Sequence, residues 1–309
     1  MIAHYFTIDV EEYFQVSAFE GSVSRAAWGT FPSRVEASVG RLLDLLARHR
    51  ARGTFFVLGW VAERHPDLVR TIVRAGHETA SHGWDHKRVT EQTPAGFRAS
   101  VRRSKQVLEQ LSGRPCLGFR APSFSIVPGR EWALDILLEE GYRYDSSLFP
   151  VRRPGYGYPG GRDVRDPYWL DRPAGRLAEL PPATLRRLGV NLPAGGGAYF
   201  RILPYALVRS AIAAYDRRGV PATFYVHPWE IDPAQPGLPV SWLAGVRHYT
   251  GLGRTLSRLE RLLSEFRFTA IADRFVASAP ATPSASGTPR QGWIAAGVAR
   301  GQGGGGGGE

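Results

Sequence analysis

The sequence predicts an α/β protein built as an irregular (β/α) barrel, and three observations carry that expectation. Short apolar runs rich in β-branched and aromatic residues alternate with helical segments, the pattern of a parallel sheet with helices outside. The residues best suited to chemistry, Asp9, Glu11, His82, Arg120, Asp145 and His227, stand at or just beyond the ends of different apolar runs, where barrels place their sites. Residues 150–200 interrupt the alternation, which makes the barrel irregular and leaves an open doubly wound sheet as the less favoured architecture.

The elements follow in order. Residues 5–10 form an apolar run ending in acids and read as a buried strand, although the acids alone would also suit a helix start. Val35, Val39, Leu42, Leu43 and Leu46 recur at helical spacing within 34–50, and Gly53 separates that helix from a strand over 54–58. A second helix is expected over 61–75, with Pro66 near a turn and Gly76 as its stop. Glu78-Thr79-Ala80 is then a short strand leading into the loop of His82 and His86. The alternation continues with a helix over 94–111, a strand over 117–120, a helix over 130–140 and a strand over 142–145.

Between 150 and 200, Tyr156-Gly157-Tyr158-Pro159-Gly160-Gly161 and the surrounding prolines predict long loops, with one hairpin near 177–180. Gly195-Gly196-Gly197 reads as a flexible loop, or as backbone that a sugar approaches closely. A helix over 204–217, a strand over 221–226, a helix over 252–265 and a strand over 267–270 close the fold. The expected organisation is one catalytic domain over 1–277, with an inserted region at 150–218 and the barrel closed by 219–277. Residues 278–309 are Ala/Ser/Thr/Pro-rich and end in glycines, a low-complexity tail expected to be disordered.

At 309 residues the chain can bury a large core, and 43% hydrophobic with 22% charged residues is ordinary for a soluble globular protein. The formal net charge is +11, carried almost wholly by arginine, since Lys87 and Lys105 are the only lysines. That balance fits a bias of the source genome, or an anionic polymer or acidic membrane surface as partner. No basic run is dense enough for a nucleic-acid arm, and no nucleic-acid partner is expected. The single cysteine, Cys116, excludes an internal disulfide and fits a reducing compartment. The first residues lack the basic-then-apolar pattern of a signal peptide, and no apolar run approaches the roughly 20 residues that span a bilayer. A cytoplasmic protein is expected, in peripheral contact with the inner membrane face at most.

Two histidines four residues apart, His82 and His86 in Ser81-His82-Gly83-Trp84-Asp85-His86, can turn their imidazoles toward one point. A carboxylate from another strand would complete three metal ligands and leave positions open for water and substrate, the arrangement of a hydrolytic site. Among eight histidines such a spacing also arises by chance, so its company decides. Asp9 and Glu11 lie two apart on a predicted strand and share a face. One can bind the metal while the other acts as general base. Arg120 could hold one of these carboxylates, and His227 at the end of an apolar strand suits a general acid near neutral pH. Asp145 could orient that imidazole, or could serve as an N-cap in Asp145-Ser146-Ser147. His4, His49, His65, His77 and His248 read as structural or exposed. No P-loop, dinucleotide fingerprint or nucleophile-elbow serine is present.

These stretches, in this order, resemble the polysaccharide deacetylases of carbohydrate esterase family 4. Thr7-Ile8-Asp9-Val10-Glu11 is similar to the family's first motif, Ser81 to His86 to the second, and Arg120-Ala121-Pro122-Ser123-Phe124 to the third. Asp145 and Phe224-Tyr225-Val226-His227 fall where the fourth and fifth would. Ala198-Tyr199-Phe200-Arg201-Ile202-Leu203-Pro204-Tyr205, His227-Pro228-Trp229-Glu230-Ile231-Asp232 and Arg247-His248-Tyr249 resemble the branch associated with exosortase-type exopolysaccharide systems. The chain departs from the commonest pattern in spacing its first acids as Asp9-x-Glu11 and in placing Lys87 where a proline usually follows the second histidine.

The resemblance implies a hydrolase that removes N-acetyl groups from an amino-sugar polysaccharide or a lipid-linked oligosaccharide precursor. A divalent ion, taken as Zn2+, would be held by Glu11, His82 and His86, with Asp9 as base, His227 as acid, Asp145 orienting His227 and Arg120 orienting Asp9. The backbone N–H of Ser123 would stabilise the oxyanion, and Phe124, Tyr225 and Trp229 would contact the sugar. Two other readings remain: a hydrolase of small cyclic imides or ureides, which the Asp9-x-Glu11 spacing also suits, and a non-catalytic module binding an anionic polysaccharide. Finally, Tyr156, Tyr158, Tyr168, Trp169, Arg152, Arg153 and Arg162 of the inserted region are expected to overhang the site and line a groove for an anionic sugar chain, or else to form a flap that only covers the barrel.

Overall fold

Strand β1 (Ala3–Val10) is buried from His4 onward on both faces, its polar Thr7 and Asp9 included, as expected of a parallel strand covered on both sides. It pairs in parallel with β2 (Thr54–Val57) on one edge and with β10 (Thr223–Val226) and β11 (Arg267–Thr269) on the other. From β2 the sheet continues through β3 (Glu78–Ser81), β4 (Gly118–Phe119) and β5 (Tyr144–Asp145), all parallel. The computed structural model describes residues 2–153, 155–159 and 163–278.

Helices cover the outside. Helix α1 (Val35–Arg48) buries all five apolar positions that its spacing singled out, and the Glu12 carboxylate accepts from the Arg34 and Val35 N–H groups at its start. The helix expected over 61–75 is two helices, α2 (Gly59–Arg64) and α3 (Pro66–Arg74). Pro66 has no N–H to continue α2, and it drives His65 out of the helical region to φ −126° and ψ 62°. Helix α4 (Pro94–Ser112) is started by Thr93, whose hydroxyl accepts from the Gly96 N–H, and stopped by Gly113 at φ 64°. Helix α5 (Trp132–Glu139) precedes β5.

The inserted region is more ordered than its composition suggested. The hairpin expected near 177–180 is formed by β6 (Tyr168–Arg172) and β7 (Gly175–Glu179), and β7 also pairs in parallel with β5. A second hairpin, β8 (Thr184–Arg187) with β9 (Val190–Pro193), was not anticipated. Its turn residues Leu188 and Gly189 take φ values of 47° and 78°, the primed-turn geometry that suits two right-twisted strands. Nor were the short helices α6 (Gly197–Ile202) and α8 (Trp242–Tyr249) anticipated, while α7 (Tyr205–Arg217) and α9 (Leu252–Glu265) lie where periodicity placed them. Helix α10 (Ile271–Ser278) follows β11; beyond Ser278 the expected tail lies outside the described residues.

The barrel closes without a full strand. Leu180 donates its N–H to Asp145, Pro182 bridges to Thr223, and Ala183 donates to the Thr223 carbonyl, so residues 180–183 carry the ring from β5 across to β10. The triple glycine is fixed rather than flexible. Tyr225 donates its N–H to Gly195 at 2.7 Å, and a Cβ on Gly196, at φ 141°, would stand 1.8 Å from the Tyr225 carbonyl oxygen. The close approach is therefore to strand β10. No helix among the described residues is long and apolar enough to cross a membrane.

Candidate active site

Parallel strands end at one mouth, and the chemically competent side chains collect there. Asp9 is on β1 and Glu11 is just beyond it; His82 follows β3, Arg120 follows β4, Asp145 ends β5 and His227 follows β10. Ligand atoms of Glu11, His82 and His86 lie within 4.8 Å of one another, and all three residues are buried. They face a cleft of about 280 Å³ that Asp9, Ser123, Phe124, Tyr225, His227 and Trp229 also line.

Each predicted metal ligand is held by a second contact. The Nδ1–H of His82 donates to the Arg120 carbonyl at 2.8 Å, which fixes the tautomer and leaves Nε2 as a lone-pair donor. Burial pushes the His82 pKa down to about 4, so the ring is neutral, as a ligand must be. His86, at φ 56° in the tight loop after β3, has Nδ1 3.4 Å from the Ser17 hydroxyl and Nε2 2.7 Å from Glu11 Oε2. Glu11 Oε1 accepts from the Trp229 indole N–H at 3.0 Å. Burial raises the proton affinity of Glu11, but the rings of His86, His227 and His82 outweigh it and hold this carboxyl well below the usual range. Glu11 Oε2 is buried without a hydrogen-bond donor. A carboxylate oxygen and two imidazole nitrogens converging within 4.8 Å form a donor set that fits a divalent cation.

Asp9 and His227 flank this set. Asp9 Oδ1 receives the fully buried Arg120 guanidinium at 2.7 Å, and Asp9 Oδ2 lies 3.8 Å from His227 Nε2. The same guanidinium donates to the Thr7 hydroxyl and to the Ser146 carbonyl and hydroxyl. The turn after Arg120 is strained: Ser123 and Phe124 adopt φ values of 55° and 53°, sparsely populated by residues other than glycine. The Ser123 hydroxyl lies 2.6 Å from that of Ser17.

One expected pairing is corrected. Asp145 accepts from the Ser147 N–H and hydroxyl at 3.1 and 2.6 Å and stands in register beside Glu179, where burial raises the pKa of both. The Ser147 hydroxyl in turn accepts from the Ala121 N–H at 2.8 Å. Asp145 thus braces the Arg120 turn. The carboxylate beside His227 is Glu230, whose Oε2 lies 3.5 Å from His227 Nδ1 and accepts from the His227 N–H at 3.2 Å. Burial lowers the His227 pKa, but the contact to Glu230 and the charges of Glu11 and Asp9 outweigh it and lift it to about 9. Glu230 is itself ionised: burial raises its pKa, yet the buried Arg201, 2.9 Å away, together with His227 brings it to about 2.

Glu230 and Arg201, which also line the cleft, are absent from the expected site set, although an acid three residues after His227 in Pro228-Trp229-Glu230 is a signal that points to the first. His248, read as structural or exposed, is buried at the cleft wall: its ring stacks on Trp229 at 4.2 Å, and its Nε2 lies 2.7 Å from Gln235 Oε1. His227 also stacks on the same tryptophan, with ring centroids 5.0 Å apart. One indole thus contacts both His227 and the metal-ligand candidate Glu11.

Residues 23–136 match the family model described as polysaccharide deacetylase, a stretch that includes His82, His86, Arg120, Ser123 and Phe124, and residues 146–276 match a domain of unknown function (DUF3473). A peptidoglycan deacetylase of Helicobacter pylori is 30% identical over 115 residues, 37% of this chain and 38% of that protein. The chain therefore spans well under half the length of that relative. A chitooligosaccharide deacetylase of Bradyrhizobium is 29% identical over 176 residues, covering 47% of this chain and 78% of that protein. The crystal structure of a Mycobacterium smegmatis protein assigned to the polysaccharide deacetylases shares the fold, with a TM-score of 0.62 and 23% identity over 93% of this chain and 94% of that one.

Proposed function

We propose that this chain, whose residues 23–136 match the polysaccharide deacetylase family model, hydrolyses N-acetyl groups on an amino-sugar polysaccharide or its lipid-linked precursor with the help of a divalent ion. The observation that carries the reading is the convergence of Glu11, His82 and His86 beneath a cleft that Asp9 and His227 also line. Those three residues would hold the ion, taken as Zn2+, which supplies polarisation of the acetyl carbonyl and acidification of water.

The remaining chemistry belongs to side chains. Asp9, oriented by Arg120, takes a proton from the attacking water. His227, kept cationic by Glu230, gives a proton to the departing amine. The Ser123 N–H stabilises the tetrahedral oxyanion, and the Phe124, Tyr225 and Trp229 rings contact the sugar. Buried charge pairs such as Asp9–Arg120 cost desolvation, so their presence at a cleft favours a chemical role over a purely structural one.

Exopolysaccharide biosynthesis at the cytoplasmic face of the membrane is the setting this reading adopts. The stretches resembling the exosortase-associated branch fall within 146–276, which the polysaccharide deacetylase match leaves uncovered. Acetate release from a panel of N-acetylated oligosaccharides, with and without a chelator, tests the proposal. Chelator-sensitive release is expected; release that persists without bound metal would overturn the metal-dependent reading in favour of cyclic imide or ureide chemistry.

A further inference from the structure

The inserted region carries a second groove that opens beside the catalytic cleft. It has a volume of about 390 Å³, and Arg88, Gly155 and Tyr156 line both spaces. Its own walls add Arg152 and Arg153, and no carboxylate lines it. Arg152 and Arg153 are exposed, and neither pairs with a carboxylate among the described residues. Many of the chain's other arginines, from Arg34 on Asp232 to Arg261 on Glu265, are neutralised locally. Two arginines adjacent in sequence, neither paired with a carboxylate, in a groove that no carboxylate among the described residues lines have the chemistry to receive an anion.

The loop that presents them is held in place. Phe149 and Val151 are buried against Phe124 and Tyr225, and Phe149 accepts the N–H groups of both Val151 and Tyr158. A Cβ on Gly157, at φ 96°, would stand 2.4 Å from the Val151 carbonyl oxygen, so the return of the loop requires glycine. Arg153 bridges to Tyr156 through the backbone, and its guanidinium lies 6.0 Å over the Tyr199 ring, which faces the catalytic cleft. The Tyr156 and Tyr199 hydroxyls meet at 2.6 Å and join the two walls. Of the residues expected to line a groove, Arg152, Arg153 and Tyr156 do so. Tyr158 turns inward to donate to Glu131, and Trp169 lies under Arg176 on the outer hairpin; Arg162 lies outside the described residues.

We infer that this groove binds an anionic group of the substrate chain, carried next to the sugar that loses its acetyl group. The inference rests on the deacetylase reading for the identity of the chain as a sugar polymer. The shared chemistry is a carboxylate or phosphate, supplied either by an acidic sugar of the repeat or by the diphosphate of a lipid-linked precursor.

The test is calorimetric binding to the full chain, with three probes of defined charge. These are a neutral chitohexaose, an oligosaccharide alternating N-acetylglucosamine with glucuronate, and UDP-N-acetylglucosamine. We expect at least one anionic probe to bind about tenfold more tightly than chitohexaose at low salt, and the preference to vanish in Arg152→Gln/Arg153→Gln. Tighter glucuronate binding assigns the acidic sugar, and tighter UDP-N-acetylglucosamine binding assigns the diphosphate. Chitohexaose affinity within twofold of wild type in the double variant, with an unchanged thermal midpoint, shows that the fold is intact. Equal affinity for all three probes in the wild-type protein, or a preference that survives the double substitution, overturns the inference. An intact preference with no acetate release from any substrate would instead defeat the deacetylase reading and leave the anion groove standing.

Discussion

Asp9 is asked to do two things at once, to receive the Arg120 guanidinium on one oxygen and to leave the other facing the cleft near His227. Asp9→Asn keeps the shape and removes the base. Turnover is expected to fall by about 10²–10⁴-fold, with Zn2+ retained at one equivalent by elemental analysis. Loss of the metal as well would assign Asp9 to the ligand set. The acid is tested through pH. In the proposed reaction His227 is protonated to serve the leaving amine, and its pKa is lifted to about 9, so activity is expected to fail as pH rises through that value. A cation at Glu11 moves the limb downward by repelling the imidazolium. Glu230→Gln removes the nearest favourable charge, so the alkaline limb of kcat/KM should shift to lower pH, whereas Asp145→Asn should leave it in place. A limb unmoved by Glu230→Gln would refute the pairing.

These residues show how far a linear reading reaches. Asp9, Glu11, His82, His86, Arg120 and His227 could be picked out because strand ends and short motifs hold them, and the fold brings all six to one mouth. The partner of His227 was not legible in the same way. Asp145 ends a strand and so looks available, yet Ser147 and Glu179 claim it, and only the three-dimensional path of Pro228-Trp229-Glu230 returns a carboxylate to the imidazole.

At the scale of elements, periodicity found the long helices because each has one buried face, and it failed where length or context is short. Helix α8 exposes Trp242 and Leu243, and β8–β9 exposes Leu188 and Val190, so neither element announces its inner face. The triple glycine was misread for a related reason: composition signals freedom, but contact with β10 removes it. Gly196→Ala should destabilise the protein by about 3 kcal/mol, since the new methyl meets backbone that cannot yield. Thermal denaturation checks this directly. A midpoint within one degree of wild type would mean that the α6 entry is not held against β10.

At the scale of the whole molecule, ligand binding and stability should be linked. Removing divalent ions with a chelator is expected to abolish activity and to lower the thermal midpoint, because an ion bound only to the folded state contributes about 2.7 kcal/mol at a hundredfold excess over Kd. Scanning calorimetry with and without added Zn2+ measures it, and the shift should disappear in Glu11→Gln. A midpoint indifferent to the ion in the wild-type protein would exclude the site as an equilibrium metal centre.

The ring closure by residues 180–183 has a consequence for how the activity could be divided. Everything up to β5 carries the candidate ligands Glu11, His82 and His86 and the proposed base Asp9; everything after it carries His227, Glu230 and the stacked Trp229. Severed between β5 and β6, the polypeptide would yield two inert pieces with complementary raw edges: β1 stripped of β10 and β11, and β5 stripped of β7. Neither piece could hydrolyse an amide alone. Mixed, they would regain turnover only by zipping those edges together, so the signal would report their encounter, as in a two-part reporter.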